Sequence, residues 1–178
     1  MNKFIITGGP GSGKTNVLNA LKSLNYTCSD EASRQLIIQE VEKQSKCLPW
    51  VDLNCFADKV LDKMISSYKA TANEKLTFYD RGIPDIIAYL KVAGLGIPDY
   101  YYEAWQQHPY NKTVFILPPW PEIYINDSER WQTYHESEQL YMCIKETYTS
   151  LNCNLIEVPR LAVKERTNFI INHINSAL

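Results

Sequence analysis

The sequence predicts an α/β fold, a parallel sheet of about five strands covered by helices on both faces. Three observations carry that expectation. Short β-rich apolar runs alternate with longer segments whose apolar residues recur at helical spacing. Each strand-like run ends where glycine, acidic residues or proline begin, which gathers the following turns at one edge of the sheet. At 178 residues with 45% hydrophobic side chains, the chain can fill one core and reads as one domain, residues 1–178.

Phe4-Ile5-Ile6-Thr7 is a short β-rich run that stops at glycine, as a buried first strand would. From Lys14 to Leu24, Val17, Ala20, Leu21 and Leu24 recur on one helical face. A short strand is expected at Tyr26–Cys28. Ser29-Asp30-Glu31 then offers an N-cap for a helix from about Ala32 to Gln44. Phe56, Val60, Met64 and Tyr68 form one stripe of a helix spanning roughly Leu53 to Ala72. Leu76–Tyr79 reads as a strand that delivers Asp80-Arg81-Gly82 at its end. Pro84 suits the first turn of the next helix and Gly94 its stop. Tyr100–Trp105 is a further helix and Thr113–Leu117 a further strand, ended by Pro118-Pro119-Trp120-Pro121. The last elements expected are a helix from Arg130 to Leu151, a strand at Leu155–Val158 and a helix at Val163–Ala177.

Charge and cysteine content exclude several classes. A net charge of -2 gives no broad footprint for nucleic acid or an anionic membrane. No apolar run approaches the ~20 residues of a membrane helix, and the apolar run near Met1 is too short for a signal peptide. A cytoplasmic location is therefore expected. Cys28, Cys47, Cys55, Cys143 and Cys153 lack C-x-x-C spacing and read as free thiols in a reducing compartment. His108, His135 and His173 form no metal or triad pattern.

Gly8-Gly9-Pro10-Gly11-Ser12-Gly13-Lys14-Thr15 matches G-x-x-x-x-G-K-[ST] at every fixed position. Glycines let the backbone wrap phosphate oxygens with its N–H groups, and the helix N-terminus behind them adds its positive end. In that chemistry Lys14 places a charge on the β- and γ-phosphates, and the Thr15 hydroxyl ligates Mg²⁺. A buried strand before the motif and an amphipathic helix after it are the context it requires. The sequence thus reads as a P-loop NTPase.

Asp80 ends a strand, where a carboxylate can hold Mg²⁺ directly or through water; a helix-capping aspartate is the alternative. Five arginines stand against thirteen lysines. Arginine suits bidentate phosphate contacts, and clustering at one end of the sheet favours that role for Arg81 and Arg130. Asp30 and Glu31 follow the second strand, where a carboxylate could take the proton of an attacking hydroxyl or simply complement a helix N-terminus. Trp50, Tyr100–Tyr102 and Trp105 could stack an aromatic acceptor or belong to the core.

Together Gly8–Thr15, Glu31-Ala32-Ser33-Arg34, Asp80-Arg81-Gly82-Ile83-Pro84-Asp85, Glu157-Val158-Pro159-Arg160 and Glu165-Arg166 resemble a family across nearly the whole chain. It is that of the small P-loop proteins grouped as AAA-type predicted ATPases. This group is similar to the kinase domain of bifunctional nicotinamide riboside kinases and, more distantly, to thymidylate and deoxynucleoside kinases. The resemblance implies ATP as donor, Mg²⁺ as cofactor and a lid near residues 118–130 that contributes Arg130. It places Glu31, Asp80 and Arg81 on the acceptor side, and Pro159 and Arg160 near the nucleotide base. No separate helical lid domain accompanies the motifs, so a ring-forming motor is not expected. The leading expectation is an ATP-dependent phosphotransferase with a small acceptor. A regulatory ATPase switch read by a protein partner stands second, and a nucleotide-binding module without turnover third.

Overall fold

The computed structural model describes residues 1–72, 75–124 and 133–176. Five strands, β1 (Lys3–Gly8), β2 (Thr27–Cys28), β3 (Thr77–Asp80), β4 (Thr113–Leu117) and β5 (Asn154–Glu157), form one sheet in the order β2-β3-β1-β4-β5. Every pairing is parallel. The described helices are α1 (Lys14–Ser23), α2 (Ala32–Glu42), α3 (Leu53–Ala70), α4 (Ile83–Val92), α5 (Asp99–Gln107), α6 (Tyr134–Ser150) and α7 (Val163–Asn175). A 3-10 turn, Pro121–Ile123, follows β4.

Side-chain alternation along the central strand builds a core on each face. Phe4 and Ile6 of β1 join Phe78, Phe115, Val17, Leu21 and Ile170, under α1 and α7. Ile5 points the other way and joins Tyr79, Val114, Ile116 and the apolar stripes of α3, α4 and α6. Burying each large aliphatic side chain contributes roughly 1.5–3 kcal/mol. The central strands β1 and β3 are fully buried, whereas the edge strands are short and half-exposed. Short edges leave little backbone open to pairing with another chain. Because the strand order reverses direction at β1, a crevice opens beyond its carboxyl end, between the loops after β3 and β4. No described helix is long and apolar enough to cross a membrane.

Two expectations need correction. The sixth helix begins at Tyr134 and not at Arg130, because Thr133 and Glu136 form a capping box: each side chain accepts from the other's backbone N–H. Arg130 itself lies outside the described residues. Cys47 and Cys55 are not free thiols but a disulfide. The turn at Leu48–Asp52 folds back so that the start of α3 meets the loop after α2, with Cα atoms 5.3 Å apart. Cys28, Cys143 and Cys153 are free.

Candidate active site

The phosphate loop leaves β1 at the crevice. Gly8 has φ +147°, and a Cβ there would lie 2.5 Å from the Leu117 carbonyl oxygen, so only glycine fits beside β4. Gly13 caps α1 in the left-handed region at φ +83° and offers the first-turn N–H groups no side-chain cap. These groups are the donors an anion would meet. Lys14 is 8% exposed, and its Nζ donates to the carbonyls of Gly8 (3.2 Å) and Gly9 (3.4 Å). Burial, helped by the Arg81 charge, pushes its ammonium down to about 8, against the pull of Asp80, Glu31 and Asp85.

Asp80 ends β3 beside Ile6 of β1. Its Oδ1 is buried and has no hydrogen-bond partner. Burial pushes this carboxyl up to about 6, with Glu31 and Asp85 adding to the shift and Lys14 and Arg81 opposing it. Thr15 is exposed and lines a common recess with Asp80, Ser29 and Glu31. Among the described residues no group of three or more His, Cys, Asp or Glu could hold a metal ion. An orphaned carboxylate oxygen and one hydroxyl fit Mg²⁺, which keeps several waters and takes further oxygens from substrate phosphates.

Arg81 follows with φ +72°, a left-handed conformation that costs a non-glycine residue about 1–3 kcal/mol and collects at functional sites. The turn swings its side chain into the crevice, where NH1 donates to the Gly8 carbonyl (3.0 Å) and to Asp85 Oδ1 (3.2 Å). Nε lies 3.6 Å from Glu31 Oε1. Although burial opposes its charge, Tyr89, Asp85, Glu31 and Asp80 together hold the guanidinium firmly protonated. Asp85 is the fixed point of this cluster, accepting also from the Thr7 hydroxyl, the Gly82 amide (3.0 Å) and the Tyr148 hydroxyl (2.6 Å). Glu31 is the N-cap residue of α2. Burial would raise its pKa, yet Arg81, Lys14, Ser33 and Arg34 bring it below the usual carboxylate value. It is therefore ionised at neutral pH.

The roof of the loop comes from elsewhere in the chain. Tyr124 and Ile123 lie where side chains on Gly11 and Gly13 would point. Ser137 donates to the Pro10 carbonyl (2.8 Å). Arg166 reaches from α7 to the Ser12 carbonyl (3.2 Å), its guanidinium lying 5.4 Å from the Trp120 ring centre. Its Nε is buried without a partner.

A cavity of about 560 Å³ runs from residues 10–16 of the loop, past Glu31, Arg81 and Asp85, into a groove between α2, α3 and α4. Ile37, Trp50, Phe56, Val60, Met64 and Ile86 line that groove. The aromatic candidates divide here. Trp50 is 54% exposed and lines the cavity, whereas Tyr101 and Trp105 are core. Tyr100 is exposed and donates to Asp58 (2.6 Å).

The structure brings Gly8–Thr15, Glu31, Asp80 and Arg81 together. Pro159 and Arg160 sit apart, Arg160 Nε donating to the Pro119 carbonyl (2.9 Å), and neither lines the cavity. Sequence reasoning kept Asp85 and Arg166 only as parts of family motifs and gave neither a role. The i, i+4 spacing from Arg81 to Asp85 was the available signal for the first. Nothing local marks Arg166, which acts from a helix more than 150 residues beyond the loop.

A parallel sheet in this order, with the glycine-rich loop between its central strand and α1, defines a P-loop nucleotide-binding fold. The chain belongs to the AAA domain family, whose model matches residues 3–166. No curated protein sequence matches the chain. Among solved structures, it is similar to deoxyadenosine kinase from M. mycoides with products dCMP and dCDP bound. That likeness has a TM-score of 0.70 at 20% identity and covers 98% of this chain and 99% of the other. It is also similar to the NadR protein in complex with NR (TM-score 0.74, 12% identity), covering 98% of this chain but 50% of that one. Thymidylate kinase from Ehrlichia chaffeensis gives a TM-score of 0.61 at 15% identity, covering 98% of both chains. At these identities the likeness establishes that the fold is that of P-loop kinases.

Proposed function

We propose that the protein is an Mg²⁺-dependent phosphotransferase that moves the γ-phosphoryl group of ATP to a hydroxyl of a small acceptor, working as one domain. One observation carries the reading: the phosphate loop and the apolar groove are two ends of a single cavity, with Glu31 and Arg81 at their junction. A switch that only hydrolyses its nucleotide needs no such second chamber.

The chain's own groups supply most of the chemistry. N–H groups of Gly8–Thr15 and the start of α1 hold the phosphates. Lys14 exchanges its loop carbonyls for phosphate oxygens. Arg81 meets developing charge already oriented by Asp85 and Glu31, so little reorganisation is needed. Glu31, ionised at neutral pH, accepts the proton of the acceptor hydroxyl. Thr15 and Asp80 would hold Mg²⁺, which would supply positive charge to the phosphates. Residues 118–124 are the described part of a lid over the phosphate loop, with Ile123 and Tyr124 against its glycines, and Arg160 holds this segment through the Pro119 carbonyl.

The test is Glu31→Gln in an ADP-release assay against a broad panel of hydroxyl acceptors. Acceptor-dependent release should fall about 10²-fold or more, with Mg·ATP affinity little changed. Slow acceptor-independent hydrolysis unaffected by the substitution would replace this reading with the switch.

A further inference from the structure

The cavity's polar and apolar linings are segregated. Among the described residues its charged side chains are Lys14 at the start of α1 and Glu31, Arg34, Arg81, Asp85 and Glu136, which belong to the N-cap or first turns of α2, α4 and α6 or to the turn before α4. All lie near the phosphate loop: Ser137, next to Glu136, bonds to Pro10, and Arg81 bonds to Gly8. One turn further along α2 the lining is Ile37 and Ile38. Along α4 it is Ile86, Val92 and Ala93, and along α3 it is Phe56, Val60 and Met64. Apart from the Tyr89 hydroxyl, on a ring 5.5 Å from the Arg81 guanidinium, these helices line the groove with no carboxylate, amide or hydroxyl beyond their first turns. The loop before α3 adds Pro49 and Trp50, whose indole N–H is its single polar handle.

From this we infer that the acceptor is an alcohol carried on an uncharged hydrocarbon or aryl body, a class that rests on the phosphotransferase reading and narrows it. A nucleobase entering the groove would set its amide and amine edge against Phe56, Val60 and Met64. Each polar group left unpaired there lowers affinity about ten-fold. An anionic acceptor fares no better, because Arg81 is already engaged by Asp85 and Glu31. A hydrocarbon or phenyl body asks for no partner and gains affinity with every carbon it buries.

The hydroxyl lies toward Glu31 and the body toward Met64. Its oxygen forms a bond to the γ-phosphorus of ATP while the bond from that phosphorus to the bridging oxygen breaks, the electron pair leaving with ADP. The hydroxyl proton passes to the Glu31 carboxylate and from there to water. The products are a phosphate monoester and ADP.

The experiment is ADP release by the full chain with Mg·ATP and two acceptor panels. One holds primary alkanols of increasing length, branched unsaturated alcohols and phenylalkanols. The other holds nucleosides and nucleoside monophosphates. kcat/KM should rise about three-fold per added methylene until the groove is full, with the second panel inactive. Trp50→Ala, at an exposed position on the rim of the groove, should raise KM for the longest active alcohol about ten-fold or more while moving kcat little. Faster turnover of nucleosides or nucleotides, or a flat chain-length profile, overturns this acceptor class and leaves the phosphotransferase standing. No stimulation by any member of either panel overturns both.

Discussion

At the phosphate end of the cavity, Lys14, Asp80, Arg81 and Asp85 are buried side by side and each sets the state of its neighbours. The acceptor end is built from Ile37, Phe56, Val60, Met64 and Ile86, which carry no charge and are continuous with the core beneath them. The first region holds charges in positions that an empty site disfavours, so its parts are poised for a ligand at some cost to the resting protein. The second is comfortable as it stands and acquires meaning only from the first. Changes at the phosphate end should therefore separate function from stability, and changes at the acceptor end should alter both together.

Lys14 gives the largest separation. Its ammonium is buried on two carbonyls and, among the described residues, makes no ion pair with a carboxylate. Lys14→Met keeps the length of the side chain and removes the charge. ADP release should drop at least ~10²-fold, and calorimetry should show Mg·ATP binding weakened. The ligand-free variant should at the same time be more stable by about 1–3 kcal/mol in urea unfolding. Loss of stability along with activity would mean that Lys14 belongs to the core and that the two ends do not differ in the way described.

Asp80 comes next. Asp80→Asn keeps the shape but removes the charge proposed to face Mg²⁺, and the buried Oδ1 has no protein partner to lose. Turnover should fall about ten-fold or more, equivalent to ~1.4 kcal/mol of transition-state stabilisation. Part of it should return as Mg²⁺ is raised. A wild-type rate at every Mg²⁺ concentration would leave Asp80 with no part in catalysis.

The same contrast explains what was legible in the sequence. Gly8–Thr15 could be read because its chemistry is contiguous: the loop needs glycine at fixed places, and those places are neighbours in the chain. Strand ends were legible for the same reason, which is how Asp80 and Arg81 entered the site. The acceptor groove was not, since a cavity wall of Phe56, Val60 and Met64 has the spacing of any buried helix stripe. Trp50 could not be told from Trp105 by composition, and only the turn at Leu48–Asp52 exposes one while the core covers the other. The Cys47–Cys55 bond stayed hidden because it depends on that turn and not on a spacing rule. Arg166 shows the limit most plainly, as a long-range contact with no local mark.

The disulfide lets the acceptor end be perturbed alone. It closes a loop with a sequence separation of 8 that carries Pro49, Trp50 and Leu53 into the groove. In the chain-entropy account, opening a loop of that size costs about 2–3 kcal/mol. The double variant Cys47→Ala/Cys55→Ala should lose that much in urea unfolding and raise acceptor KM several-fold. KM for ATP should stay put, because this loop lines the apolar groove with Pro49, Trp50 and Leu53 and is no part of the phosphate loop. If ATP and acceptor constants moved together, the cavity would behave as one unit and the division between its ends would fail.

The smallest effect expected is at Glu40, which ties the outer wall of the groove together. Its carboxylate is 2% exposed and meets Lys59 of α3 at 2.6 Å and Lys43 at 3.5 Å. Bonding to Lys59 and to Ser45 outweighs burial and holds it down at about 2, below its ordinary 4.5. A carboxyl depressed on folding contributes stability that is fully present above its unfolded pKa and is lost as pH falls through the folded one. This contribution should accordingly be constant from neutral pH down to about 5 and fade between there and about 2. Glu40→Gln should lower Tm at pH 7 by on the order of 3 °C. The gap from wild type should close as the solution is acidified toward pH 2, followed by circular dichroism melts. Because Glu40 faces away from the phosphates, ADP release at saturating substrates should not change. A gap that persisted undiminished at pH 2 would show that packing, not the ion pair, joins α2 to α3, and the acceptor wall would then be apolar on both its sides.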